Sequence, residues 1–181
     1  MIVVNFFGGP CVGKSTLSAE LFVRLKKMGL EAVLVGEYVK DCIESNKLEE
    51  LDNELYIFAE QVRRLRRHDA AGVDVAICDW PLLNAVVYDS MNFPGEPEWF
   101  TDLVFNEFIT YANLNYYILR SPEIEYSTAG RVHNAIDALV IDTKVEKMLK
   151  ATSTKHTRIN NASVELVMQA VLRKIVEEDN D

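Results

Sequence analysis

The sequence predicts an α/β fold in three layers, with a parallel sheet of about five strands covered by helices on both faces. Three observations predict it. Apolar, β-branched runs of strand length alternate along the chain with stretches of helical periodicity. The first run closes on Gly8-Gly9 and passes directly into a helical pattern, as a parallel strand–turn–helix unit does. The 181 residues, 49% of them hydrophobic, suffice for one domain with a full core, and no repeat or low-complexity tract interrupts them.

The elements follow in order. Ile2 to Phe7 (IVVNFF) is a buried strand, apolar and β-branched throughout. A helix begins near Lys14, places Leu17, Leu21, Leu25 and Met28 on one face, and ends at Gly29, a natural C-cap. Glu31 to Gly36 is the second strand. From Asn53 to His68 a helix carries Leu55, Phe58, Ala59, Val62 and Leu65 on one stripe. Val73 to Cys78 is the third strand and ends at Asp79. Helix resumes over Pro81 to Asp89 and again over Glu96 to Tyr111, and Leu114 to Leu119 is the fourth strand. The polar stretch Ser121 to Arg131, with Pro122 and Gly130, predicts a mobile loop, and the lid of the fold is expected over 121–135. A helix spans Ala135 to Lys150, a short fifth strand His156 to Ile159, and Ser163 caps a last helix facing inward through Val164, Val167, Val171 and Ile175.

Composition narrows the function. Cys11, Cys42 and Cys78 have no metal-ligand spacing and their odd number is no disulfide framework; His68, His133 and His156 are scattered. No apolar run is long enough to span a membrane, and the N-terminus starts on a strand without the basic and cleavable parts of a leader, so a cytoplasmic protein is expected. A net charge of −9 argues against strong nonspecific binding to nucleic acid, though not against a local basic groove.

One motif carries chemistry. Gly8-Gly9-Pro10-Cys11-Val12-Gly13-Lys14-Ser15 satisfies G-x-x-x-x-G-K-[ST] and falls between the first strand and the first helix. Its glycines let successive N–H groups point at phosphate oxygens. Lys14 supplies a charge to the β- and γ-phosphates of ATP or GTP, the Ser15 hydroxyl ligates Mg²⁺, and the helix opening at Lys14, Ser15 and Thr16 aims its positive end at the same anion. A phosphate loop alone does not separate kinases from other nucleoside triphosphatases. A kinase is favoured by the short chain without a guanine-recognition motif, and by Arg120 and Arg131 around the polar loop, suited to a closing lid. Two carboxylates, Glu37 and Asp79, also follow the second and third strands, where ligands of a parallel sheet bind. Asp79 is placed to hold Mg²⁺ and Glu37 to take the proton of an attacking hydroxyl, with the two roles exchangeable.

The order of several motifs resembles a known family. Asn5-Phe6-Phe7-Gly8-Gly9-Pro10, Gly36-Glu37-Tyr38-Val39-Lys40-Asp41, Phe58 to Arg64, Asp79-Trp80-Pro81-Leu82-Leu83, Asn113 to Tyr117, Gly130-Arg131 and Ile141-Asp142 look like the small P-loop kinases common in bacteriophages, related to bacterial nicotinamide-riboside kinase domains. The resemblance covers nearly the whole chain. It implies a P-loop kinase fold, ATP and Mg²⁺, and, from the branch that phosphorylates 5-hydroxymethyldeoxyuridine in DNA, an acceptor in modified phage DNA and a host-cell cytoplasmic setting. Trp80 departs from relatives with a small residue there; it either stacks on a pyrimidine or packs a hinge. Gln61 and Arg66 border the apolar stripe of their helix and are candidate acceptor contacts, Arg66 within a cluster with Arg63, Arg64 and Arg67 that reads either as a phosphate strip or as a solvated helix end. The rival readings are a kinase of a free nucleoside, nucleotide or nicotinamide riboside, and a slow regulatory nucleotide-binding module.

Overall fold

The structure, a computed structural model, describes residues 1–92, 98–127 and 133–178. Five strands, β1 (Ile2–Phe7), β2 (Ala32–Val35), β3 (Val75–Cys78), β4 (Ala112–Ile118) and β5 (Thr157–Ile159), form one sheet in the order β2-β3-β1-β4-β5, and every neighbouring pair is parallel. The helices are α1 (Lys14–Lys27), α2 (Tyr38–Glu44), α3 (Glu54–Ala70), α4 (Asn84–Asn92), α5 (Trp99–Phe108), α6 (Ala135–Ala151) and α7 (Val164–Glu178), with a 3₁₀ turn at Leu48–Asp52.

Strand alternation sorts the core into two halves. Val4 and Phe6 of β1 face Leu17, Leu21 and Leu25 of α1 and Val164, Val167 and Val171 of α7. Val3 and Phe7 face the other way, among residues of α3 to α6 such as Leu65, Ala85, Val104 and Ile141. The sheet is therefore covered on both faces, as the alternation of elements predicts. The central strand also buries one polar group, Asn5, whose amide donates to the side chains of Asn113 (2.8 Å) and Asn115 (3.0 Å) on β4.

Four expectations need correction. The segment after β2 holds a helix and a 3₁₀ turn that the sequence reading lacks; α2 is too short to show a period. On α3 the buried face runs through Glu54, Ile57, Phe58, Gln61 and Leu65, while Leu55 is 45% exposed and Ala59 faces solvent. The face has turned to bury two polar residues. Met28, expected on the inner face of α1, is exposed at its C-cap. At the last helix the Ser163 hydroxyl bonds Asn160 (2.9 Å) instead of a helix N–H.

Candidate active site

The loop between β1 and α1 leaves the C-terminal end of the central strand, with β3 and β4 on either side. Gly13 sits at φ 97°, a left-handed conformation that turns the chain into α1. Gly9 is required by close approach: a Cβ there would lie 2.7 Å from the Ala138 carbonyl and 2.8 Å from Asp142 Oδ1. Val12 is in the core, while Pro10, Cys11, Gly13, Lys14, Ser15 and Thr16 line the cavity beside the loop. The Lys14 ammonium donates to the carbonyls of Gly8 (2.7 Å) and Gly9 (2.8 Å), folded back over its own loop. Burial pulls its pKa down, against the pull of Glu37 and Asp79.

At the ends of β2 and β3 the two predicted carboxylates converge. Asp79 Oδ2 accepts from the Ser15 hydroxyl at 2.8 Å. Lys40, on the first turns of α2, joins them: its Nζ lies 2.9 Å from Asp79 Oδ2, 3.2 Å from Glu37 Oε2 and 3.2 Å from Ser15 Oγ. Burial works to lower the pKa of Lys40, but Glu37 and Asp79 outweigh it and hold it above the ordinary lysine value. Burial raises Glu37, and Lys40 and Lys14 oppose that rise. The donor set fits Mg²⁺. Ser15 and Asp79 offer hard oxygens, Asp79 Oδ1 is buried without a partner among the described residues, and the cluster already accommodates a cation, the Lys40 ammonium. No group of three histidine, cysteine or acidic residues able to hold a metal occurs among the described residues, and Mg²⁺ held mainly by phosphates needs none.

A second cluster braces the loop from the other side. Asp142 of α6 accepts the Gly9 N–H through Oδ1 (2.6 Å) and the Arg120 Nε–H through Oδ2 (2.7 Å). Arg120 in turn donates to the Pro10 carbonyl at 2.8 Å. The groups that would otherwise be free for a nucleotide are thus tied to the loop's own backbone. Asp142 appears in the sequence reading only as part of a family motif, because its partner is remote in the chain.

The cavity, about 340 Å³, runs from the loop past Glu37 and Lys40 to a wall on α3 and α4. That wall contains Glu54, Trp80, Asn84 and Tyr88, with His133 beyond. Trp80 is only 2% exposed and its ring stacks on Tyr88 (centroids 6.2 Å, planes at 21°). Glu54 and Asn84 are buried polar residues that sequence periodicity does not mark: the stripe read on the helix of Glu54 runs through Leu55 and Phe58, and the helix of Asn84 shows no such stripe.

The remaining predicted residues lie elsewhere. Gln61 is fully buried and its amide bridges the turn after β2, accepting from the Tyr38 N–H (3.4 Å) and donating to the Gly36 carbonyl (3.2 Å). It positions that turn and does not line the cavity. Arg66 makes a two-pronged ion pair with Glu107 of α5 (2.9 and 2.5 Å) and is likewise outside the cavity lining. Arg63 pairs with Glu60 at 2.8 Å. Arg64, expected in solvent, turns inward to Asp41, the Gly36 carbonyl and the Tyr38 ring. Gly130 and Arg131 lie outside the described residues.

Comparison with known proteins agrees with this fold. The model of a family described as an AAA domain matches residues 3–166. The chain belongs to that family. Among solved structures it is similar to a deoxyadenosine kinase from M. mycoides, described with the products dCMP and a flexible dCDP bound. Identity is 18%, the match covers 97% of this chain and 99% of that one, and the TM-score is 0.53. The two share a fold. No curated protein sequence matches the chain. Among the described residues no helix is long and apolar enough to cross a membrane.

Proposed function

We propose that this member of the AAA domain family is a Mg²⁺-dependent kinase that transfers the γ-phosphoryl group of ATP to a hydroxyl of a nucleoside-type acceptor. One observation carries the reading. The loop lysine, Ser15 with Asp79 bonded behind it, and Glu37 meet at one cavity, and the opposite wall of that cavity is aromatic and polar. A nucleotide-hydrolysing switch needs the first half of this arrangement and has no use for the second. The fold shared with a deoxyadenosine kinase supports the same conclusion.

The roles follow from position. Backbone N–H groups of the loop and the N-terminus of α1 bind the triphosphate. Lys14 releases the Gly8 and Gly9 carbonyls and turns to the phosphates, where its charge counts most as the γ-phosphoryl group leaves. Ser15 and Asp79 would hold Mg²⁺, which supplies charge neutralisation at the phosphates when bound. Glu37 accepts the proton of the acceptor hydroxyl as its oxygen attacks the γ-phosphorus, and ADP departs. Its raised pKa brings it nearer to the range of a useful base.

Two acceptor forms are supported by different observations. The order of motifs supports 5-hydroxymethyluracil within DNA. The pairing of Arg63, Arg64 and Arg66 with acids leaves few cations for DNA phosphates and supports a free nucleoside or nucleotide. Label transfer from γ-labelled ATP to hydroxymethyluracil-containing DNA, to free nucleosides and nucleotides and to nicotinamide riboside separates them. Equal ATP turnover with and without every acceptor would overturn the kinase reading.

A further inference from the structure

Three buried polar atoms on the cavity wall have no partner among the described residues: Glu54 Oε1, Trp80 Nε1 and Asn84 Oδ1. All three residues line the same cavity. Buried polar atoms in folded proteins are nearly always bonded, and isolated exceptions are scattered. Three together on one binding wall mark places that a ligand fills. Around them Trp80, Tyr88 and His133 form a stack, with the Tyr88 and His133 rings 5.9 Å apart at 29°. Such a stack favours a flat partner over a flexible one.

The chemistry of the three atoms defines the partner further. Trp80 Nε1–H is a donor only and Asn84 Oδ1 an acceptor only. Among the described residues Glu54 pairs with no cation, and the charge that acts on it is the Asp89 carboxylate. A carboxyl in that setting keeps its proton and presents an O–H donor. Burial first, then Asp89, pushes its pKa up to about 8, in agreement.

We propose that Glu54, as a neutral acid, acts with Asn84 and Trp80 as the specificity-determining wall of the acceptor pocket, offering two donors and one acceptor to an imide-type ring edge, an N–H between two carbonyls. This rests on the proposed kinase function only for identifying the ligand as the acceptor. A ring whose edge presents an amino group in place of a carbonyl sets that group against a donor and its bare ring nitrogen against the Asn84 acceptor. Sites built from buried hydrogen-bonding groups reject such mismatches strongly, because the protein group is left unpaired.

The test is calorimetric binding to the full chain without ATP, using 5-hydroxymethyl-2′-deoxyuridine, its N3-methyl derivative and the matching cytidine. The imide nucleoside is expected to bind at least about tenfold tighter than either other probe. Asn84→Leu should erase the penalty for N3-methylation. Glu54→Gln, which keeps a donor, should hold affinity within about threefold, whereas Glu54→Leu should lose about tenfold or more. Trp80→Phe, which keeps a ring and loses the N–H, should weaken the imide probe alone. Indifference of the wild type to N3-methylation, preference for the cytidine, no nucleoside binding, or equal losses in Glu54→Gln and Glu54→Leu would each overturn the proposal. Binding as expected without label transfer would sink the kinase reading and leave the wall standing. Label transfer with KM unchanged in Asn84→Leu and Trp80→Phe would do the reverse.

Discussion

Replacing Glu54 by Gln should make the protein more stable at alkaline pH, and the gain should grow with pH. In the folded chain the carboxyl titrates near 8, against about 4.5 for an ordinary glutamate. Below 4.5 both folded and unfolded chains hold the proton. Between 4.5 and 8 the unfolded chain has lost it and the folded chain keeps it, so unfolding releases a proton and stability falls as pH rises. Each pH unit across that window costs ~1.4 kcal/mol, which sets a ceiling of about 5 kcal/mol by pH 8. Water entering the cavity and side-chain relaxation would reduce this to about 2–3 kcal/mol. Glutamine has the same shape and no charge to bury. Urea denaturation of both proteins at pH 5, 6, 7 and 8 gives the difference directly, and every other titrating group is common to the pair. The difference should be small at pH 5 and reach about 2–3 kcal/mol at pH 8. Parallel stability curves would show that Glu54 ionises normally, and the argument from its burial would fail.

Lys14→Ala should cost about 10²–10³-fold in kcat while the thermal midpoint stays near that of the wild type, since the lysine acts on developing charge. Asp79→Asn should raise the Mg²⁺ concentration for half-maximal turnover more than it weakens ATP binding, and Glu37→Gln should lower kcat by about 10²–10⁴-fold. Lys40→Met removes the ammonium that bridges Glu37, Asp79 and Ser15, so calorimetric titration should find Mg²⁺–ATP binding at lower Mg²⁺ than in the wild type. Asp142→Ala unpairs the Gly9 N–H and takes from Arg120 its carboxylate partner; ATP affinity should fall about tenfold, with Asp142→Asn recovering part of it because Asn still accepts from Gly9.

Sequence makes the sheet and the loop legible because their signals are local. Leu17, Leu21 and Leu25 recur at the helical spacing, and the residues from Gly8 to Ser15 are contiguous. What escapes is what depends on contacts distant in the chain. Glu54 and Gln61 occupy an inward face of α3 because one borders a cavity and the other ties down the turn at Gly36, and neither fact has a periodicity. Lys40 reads as one more lysine until α2 brings it to Asp79, 39 residues away. Arg66 reads as a free cation until α5 supplies Glu107.

The tie between Gly9, Arg120 and Asp142 constrains how such a chain can evolve. A side chain at position 9 collides with Ala138 and Asp142. Loss of Asp142 strands a backbone N–H and leaves the Arg120 guanidinium only the Pro10 carbonyl, and loss of Arg120 leaves half of the carboxylate and that carbonyl without their donor. Every single substitution in the trio is therefore worse than the state it departs from, and only coordinated replacements restore a bonded set. The three positions should drift as one character across descendants of this sequence. A designer who transplants the loop into another sheet must carry the arginine and the aspartate with it, from segments that begin more than a hundred residues downstream.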